Sequence, residues 1–451
     1  MKTKVFASAM AALMAVSALT GCSNGNTNDA GTPAPDKVVV ELPEMTEPVS
    51  IEMWHYMTGK QQEALQAIID EFNATNDMNI TVTAVPQGKI GDMNKKVIAA
   101  EQSNTLPAII NVYPDLATGL IANGNIYDMA AFATHPEVGI LPDLQNDFVE
   151  AFVSEVAQWE EGKLYGMPMT KSTEVIYVNK TLLEKIGYTV EDIQGMTMEK
   201  LAEVSKAAKE QLGIAGFGFD SGSNGFISTL KEEGVDFVQL DGTINVDNEW
   251  VRTFMDFYKE QVQNGYFRVP GEDGFLSGPF SNQQVLMYQG SSAGASFIDT
   301  NGQFEMVAVE PAYFDGKDKA VIQQGGSLFI TNDVSLQEQY AAYEFIKFAT
   351  STENTAEFAT ATGYLPVRKS AADTQIIKDI LADPAANYAK VYPVAQLALE
   401  YAYYTPAINN AQSARNTIQE KFEAYVTGNI ADMDTFIQES VSEVGTSIQR
   451  Q

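Results

Sequence analysis

Residues 49–54, VSIEMW, alternate apolar and polar side chains, the period-two pattern of a half-buried strand. From about Lys60 the period changes to 3.6, with Ala64, Leu65, Ile68, Ile69 and Phe72 on one face of a helix. The pattern then predicts a strand over 79–85 (NITVTAV), a helix over 93–102, and a strand over 108–112 (AIINV) whose unbroken apolar run suits burial on both faces. Strand-helix-strand-helix-strand implies an open parallel α/β sheet, and ligands of such sheets bind outside the carboxyl ends of the strands. Those ends carry Trp54-His55-Tyr56, Pro86-Gln87-Gly88 and Tyr113-Pro114-Asp115.

Residues 163–168 and 175–179 read as strand-turn-strand material opening a second α/β unit, with helices over 198–211 and 248–264. A further strand is expected over 323–330, a helix over 336–349, and a mostly helical tail after Ser370 that includes 411–425. The chain of 451 residues, 45% hydrophobic and 19% charged, suits two or three cored lobes. No internal repeat of fixed period is present.

The amino terminus changes the setting. Lys2 and Lys4, an apolar run from Val5 to Leu19 and the ending Leu19-Thr20-Gly21-Cys22 predict a signal peptide over 1–21 that resembles the lipobox of bacterial lipoproteins. Cys22 is the only cysteine, which excludes an internal disulfide and a cysteine metal cluster and marks it for lipidation. Residues 22–48, rich in Asn, Gly, Thr and Pro, have the composition of a tether. The protein is thus expected outside the cytoplasmic membrane, lipid-anchored. With 28 Lys and Arg against 59 Asp and Glu, the net charge of −31 repels nucleic acid and anionic lipid surfaces.

Enzymatic motifs fare poorly. QGSSAGA at 289–295 spells the G-x-S-x-G of a nucleophile elbow around Ser292, but an α/β-hydrolase needs its histidine after the serine. Both histidines, His55 and His135, precede it, and a serine without a base is a poor nucleophile. Residues 220–225, DSGSNG, begin like a calcium loop, yet Lys231 stands where the bidentate Glu belongs, so a glycine-rich connecting loop is expected. No cofactor or metal is implied.

Cleft candidates are Trp54, Tyr56, Tyr113, Phe226, Tyr364, Tyr403 and Tyr404, with Ser172, Ser291, Asn409 and Asn410 as short polar partners. Aromatic platforms plus convergent polar groups suit sugars, since each neutral hydrogen bond contributes only about 0.5–1.5 kcal/mol.

The lipobox, IEMWH at 51–55, LPAIINVY at 106–113, YVNK at 177–180, GGSL at 325–328 and TGYLPV at 362–367 together resemble the extracellular solute-binding proteins of carbohydrate ABC importers, and within them the glycerol-3-phosphate-binding subgroup. The resemblance implies a type II periplasmic-binding fold of two α/β lobes joined by hinge segments, with the ligand between them. Residues 49–167 plus 310–366 form the expected amino-terminal lobe and 168–309 plus 367–451 the carboxyl-terminal one. It also implies a monomer that delivers its ligand to permease subunits by domain closure.

Carried over by residue, the subgroup's pocket serines fall on Ser172 and Ser291, its glycine on Gly326 and its tyrosine on Tyr364. Its upstream tyrosine becomes Ile90, its glutamate Pro114 with Asp115 adjacent, and its phosphate-facing arginine Ala407. Losing that charge-assisted contact removes about 1.5–3 kcal/mol, so a neutral mono- or oligosaccharide is favoured over glycerol-3-phosphate or a glycerophosphodiester, with Asp115 on sugar hydroxyls. The competing classes are a surface glycan-binding lipoprotein without a transporter and a serine hydrolase acting through Ser292.

Overall fold

A computed structural model of the protein describes residues 40–449. The expected signal peptide, Cys22 and most of the tether lie outside them.

The first lobe is built on a five-stranded sheet of order β2-β1-β3-β11-β4. Its strands are β1 (Val49–His55), β2 (Ile80–Pro86), β3 (Ile109–Val112), β4 (Gly166–Pro168) and β11 (Ser327–Ile330). β1 pairs in parallel with β2 and β3, as the pattern implies, whereas β11 runs antiparallel to both β3 and β4. The predicted strand over 323–330 is therefore half strand; its first four residues serve another purpose.

Helix α1 (Lys60–Thr75) buries Leu65, Ile68, Ile69 and Phe72, and α2 (Ile90–Ser103) buries Met93, Val97 and Ala100. All four residues of β3 are buried because its faces meet different cores: Ile109 joins the α1 side, Ile110 and Val112 the α2 side. Helices α3 (Pro114–Ala122) and α4 (Glu150–Val156) follow, and α8 (Leu336–Ala349) and α9 (Thr352–Thr362) return to pack on α1.

The second lobe centres on β5 (Glu174–Asn179), flanked antiparallel by β8 (Met287–Ser291) and β9 (Met306–Val309). Alternation along β5 sends Val175 and Tyr177 into the core continuous with the first lobe, and Ile176 and Val178 into the second lobe's own core. Around it stand α5 (Met198–Leu212), α6 (Gly222–Lys231), α7 (Glu249–Gln263), α11 (Ala411–Val426) and α12 (Met433–Gln449). Two short parallel pairs complete it: β6 (Phe217–Gly218) with β7 (Phe267–Arg268), and β10 (Val321–Ile322) with β12 (Ala402–Tyr403).

The two-lobed α/β architecture is the expected one, but two boundaries move. Residues 310–322 stay with the second lobe: Phe314 packs against Trp250, Phe257 and Tyr258, and β10 pairs with β12. Residues just past 366 stay with the first lobe, where buried Arg368 binds Asp143 at 2.8 Å and Asp147 at 3.0 Å. The chain joins the second lobe at α10 (Asn387–Ala398), which packs on β5 and β9. The glycine-rich stretch at 220–225 is a helix start rather than a loop. The Ser221 hydroxyl accepts from the Asn224 N–H at 3.2 Å, and Gly222 lies so close to Phe422 that a Cβ would stand 2.6 Å from its ring.

Candidate functional site

Two chain segments cross side by side between the lobes. Residues 169–173 leave β4 for β5, and residues 323–326 return from β10 to β11. They are tied by Ser172 N–H to Gln324 O at 3.1 Å, Gln324 N–H to Ser172 O at 2.8 Å and Thr170 N–H to Gly326 O at 3.3 Å. Gly325 has φ +107° and lies against Thr170; no other residue fits there.

On the first-lobe side, Tyr56 follows β1 and Tyr113 follows β3, where the carboxyl ends of parallel strands place a ligand. Their rings stand 6.0 Å apart. The Tyr56 hydroxyl lies 3.0 Å from Thr170 Oγ1, and the Gly326 N–H donates to both, at 3.2 and 3.0 Å. Tyr364 stacks on Phe358 at 5.8 Å, and its phenol lies within electrostatic reach of Tyr113 and Tyr56. Burial pushes the phenols of Tyr56, Tyr113 and Tyr364 above their ordinary range, so at neutral pH each keeps a proton to donate.

On the second-lobe side, the Ser291 hydroxyl donates to Ser172 Oγ at 3.0 Å. Opposite Ser291 in the sheet register is buried Glu174, which accepts from Asn224 at 2.6 Å, Gln289 at 2.9 Å and Gln324 at 3.2 Å. Arg415 on α11 donates to Asn224 Oδ1, and its charge acts on Glu174, Tyr113 and Asp115. Burial raises both carboxyls, Glu174 and Asp115, against the lowering influence of Arg415 and of the hydrogen bonds each accepts.

The lobes touch directly. Asp115, at the start of α3, faces the first turn of α11, whose helix dipole favours a carboxylate; its own side chain accepts from the Leu116 N–H at 2.8 Å. Gln158 Oε1 accepts from the Ala407 N–H at 2.7 Å, and Gly119 approaches Asn409 so closely that a Cβ would stand 3.0 Å from its Oδ1. Tyr404 is half-buried, its phenol raised by burial and then by the charge of Glu155. Beneath the crossing, fully buried Lys171 pairs with Glu155 of α4 and reaches Gly325 O at 3.3 Å.

The structure thus gathers Tyr56, Tyr113, Gly326 and Tyr364, joins Ser172 to Ser291, and sets Asp115 and Asn409 where the lobes meet. Phe226 is corrected: it is 0% exposed, packed among Phe237, Phe254 and Phe436 in the second lobe's core. Trp54 lies on the α2 side of the first sheet with its indole N–H 3.3 Å from Glu52 Oε2, and Tyr403 is buried on β12 under Lys231. Asn410 adopts a left-handed conformation, φ +59°, at the start of α11.

Thr170, Lys171, Glu174, Asn224 and Arg415 were not among the sequence candidates. For Arg415 a signal existed: it lies on the stripe of Ala411, Ala414, Ile418 and Phe422 that α11 buries, where a cation is out of place.

Ser292 is 1% exposed, and its hydroxyl lies 3.4 Å from the Thr173 N–H. Buried His55 accepts from the Met57 N–H through Nδ1 and is pushed down to about 4 by burial, and His135 Nδ1 accepts from the Glu137 N–H. Each histidine is held by its own turn, and neither supplies Ser292 with a base. Among the described residues no group of three or more His, Cys, Asp or Glu is placed to hold a metal ion, and no helix is long and apolar enough to cross a membrane.

Residues 67–387 match the family of bacterial extracellular solute-binding proteins. The chain is 27% identical over 340 residues to the sn-glycerol-3-phosphate-binding periplasmic protein UgpB of Shigella flexneri serotype 5b (strain 8401), covering 72% of this chain and 75% of that one. The Escherichia coli (strain K12) UgpB is 26% identical over the same shares. Among solved structures, the cyclic alpha-maltosyl-1,6-maltose binding protein of Arthrobacter globiformis superposes with a TM-score of 0.73 at 20% identity, over 89% of this chain and 100% of that one. UgpB of Mycobacterium tuberculosis in complex with glycerophosphocholine superposes with a TM-score of 0.73 at 19% identity, over 90% and 98%. With its two lobes, its crossing segments and a match over more than half its length, the chain belongs to the bacterial extracellular solute-binding protein family, near the glycerol-3-phosphate-binding subgroup, as an extracytoplasmic substrate-binding protein of the ABC importer type.

Proposed function

We propose that this protein captures a neutral mono- or oligosaccharide between its lobes and presents the closed form to an ABC permease. The observation that carries the reading is that the two cations beside the crossing, Lys171 and Arg415, are already engaged. Lys171 is taken by Glu155, and Arg415 by Asn224 with Glu174 and Asp115 nearby. A dianionic phosphate would have to displace those partners, whereas the hydroxyls of Tyr56, Tyr364, Ser172 and Ser291 suit a polyol. Ala407 stands where the subgroup carries its arginine, and its N–H is held by Gln158. A glycerophosphodiester is the second reading, supported by Arg415 in the cleft and by relatives named for glycerol-3-phosphate or solved with glycerophosphocholine.

Closure follows from differential binding: a ligand touching both lobes binds only the closed form with all its contacts and shifts the population toward it. The proposal includes a lipid anchor at Cys22, which together with the tether keeps a monomeric body close to the membrane-bound permease. A surface glycan-binding role without transport would use the same cleft.

A thermal-shift screen against mono- and oligosaccharides, glycerol-3-phosphate and glycerophosphodiesters tests the reading. At 100 times its dissociation constant a sugar should add about 2.7 kcal/mol of stability, and Asp115→Ala should weaken its binding. Stabilisation by a phosphorylated glycerol compound and by no sugar would overturn it.

A further inference from the structure

A groove of about 790 Å³ opens between α2 and α3 of the first lobe and the start of α11 in the second. That is within the roughly 300–1,000 Å³ of small-molecule sites. Its walls are rich in carboxamides, among them Asn94 on α2, Asn123 after α3, and Asn409, Gln412 and Asn416 opposite. A carboxamide offers two N–H donors and a carbonyl acceptor without charge, the complement of a run of hydroxyls. In a chain of net charge −31, this groove has only Lys95, Glu101 and Asp115 as charged lining.

Both lobes make the groove, so it takes this form only where they meet, as at Gly119 against Asn409. Asp115 is also its inner limit. It lines the groove and follows Tyr113 by two residues at the start of α3, so the chain itself leads from the tyrosine cluster to the groove's inner end.

We infer that the ligand is a chain: a neutral oligosaccharide whose first units lie by Tyr56, Tyr113 and the serine pair, and whose further units run out along this carboxamide groove. The inference rests on the sugar reading above and narrows it, since a monosaccharide or a glycerophosphodiester would leave the groove empty.

Calorimetric titration of the intact protein with malto-, cello-, manno- and xylo-oligosaccharides of one to six units tests it, using wild type, Asn94→Trp and Asn416→Trp. Asn416 is exposed on α11, so its variant reports on the groove without disturbing a core. Affinity in the recognised series should rise about tenfold or more between one unit and three or four. Each Trp variant should lose about tenfold for the longer chains, about 1.4 kcal/mol, and stay within twofold for the shortest that binds. Length-independent affinity, or equal losses for short and long chains, overturns the groove while leaving the sugar reading intact. Binding of no saccharide of any length overturns both.

Discussion

Gly325→Ala is expected to destabilise the protein by about 3 kcal/mol or more, the largest effect of any single methyl group added at the crossing. The Cβ would stand 1.6 Å from the Thr170 carbonyl oxygen and 2.7 Å from its carbon, backbone atoms that cannot swing aside. Relief requires residues 169–173 and 323–326 to separate, which breaks the hydrogen bonds between Ser172 and Gln324 and moves the Gly326 N–H off Tyr56 and Thr170. Gly316→Ala separates overlap from backbone strain: its φ is +75° and a Cβ would meet nothing within 4 Å, so it should cost only about 1–2 kcal/mol. Denaturant midpoints of the two variants decide the matter. Equal losses would mean that the crossing segments are less closely apposed than described.

Lys171→Met should cost about 3–5 kcal/mol, because it leaves a carboxylate without its counter-ion in a buried place. Lys171 is 0% exposed and Glu155 6% exposed, and water cannot readily take over from the ammonium group. The variant also removes the donor to the Gly325 carbonyl. Replacing both partners, Lys171→Met with Glu155→Gln, should recover much of the loss, since the strain lies in the orphaned charge rather than in the missing pair. A double variant no more stable than Lys171→Met alone would contradict that account. Because Lys171 sits on the crossing and Glu155 on α4, the pair joins hinge to first lobe, and ligand affinity should fall with stability in the single variant.

How much of this was legible in the sequence depended on distance along the chain. β1, α1, β2, α2 and β3 follow one another with clear periods, and all five were read with small shifts in their ends. β11 was harder: it enters the first sheet between β3 and β4, antiparallel, after more than a hundred residues spent in the other lobe, and no local period announces that. The boundary expected at 310 failed for the same reason, since the partner that keeps β10 in the second lobe is β12.

In the candidate site, Tyr56, Tyr113, Ser172, Ser291 and Tyr364 lie at strand ends or in short motifs, which a sequence displays. Residues buried under the surface, Glu174 and Asn224, are not displayed in this way. Phe226, one of the expected cleft aromatics, instead sits in the core: Ser221 caps a helix over 222–231 there and Phe226 is buried.

The central claim is that a saccharide is held between lobes that close on it, and amide hydrogen exchange at Ala407 tests it most directly. Its N–H group bonds across the cleft to Gln158 at 2.7 Å, so it exchanges when the lobes part. With a bound sugar at about 100 times its dissociation constant, exchange in peptides carrying this amide should slow about a hundredfold. Unchanged exchange there, in protein saturated with that sugar, would contradict closure around the ligand.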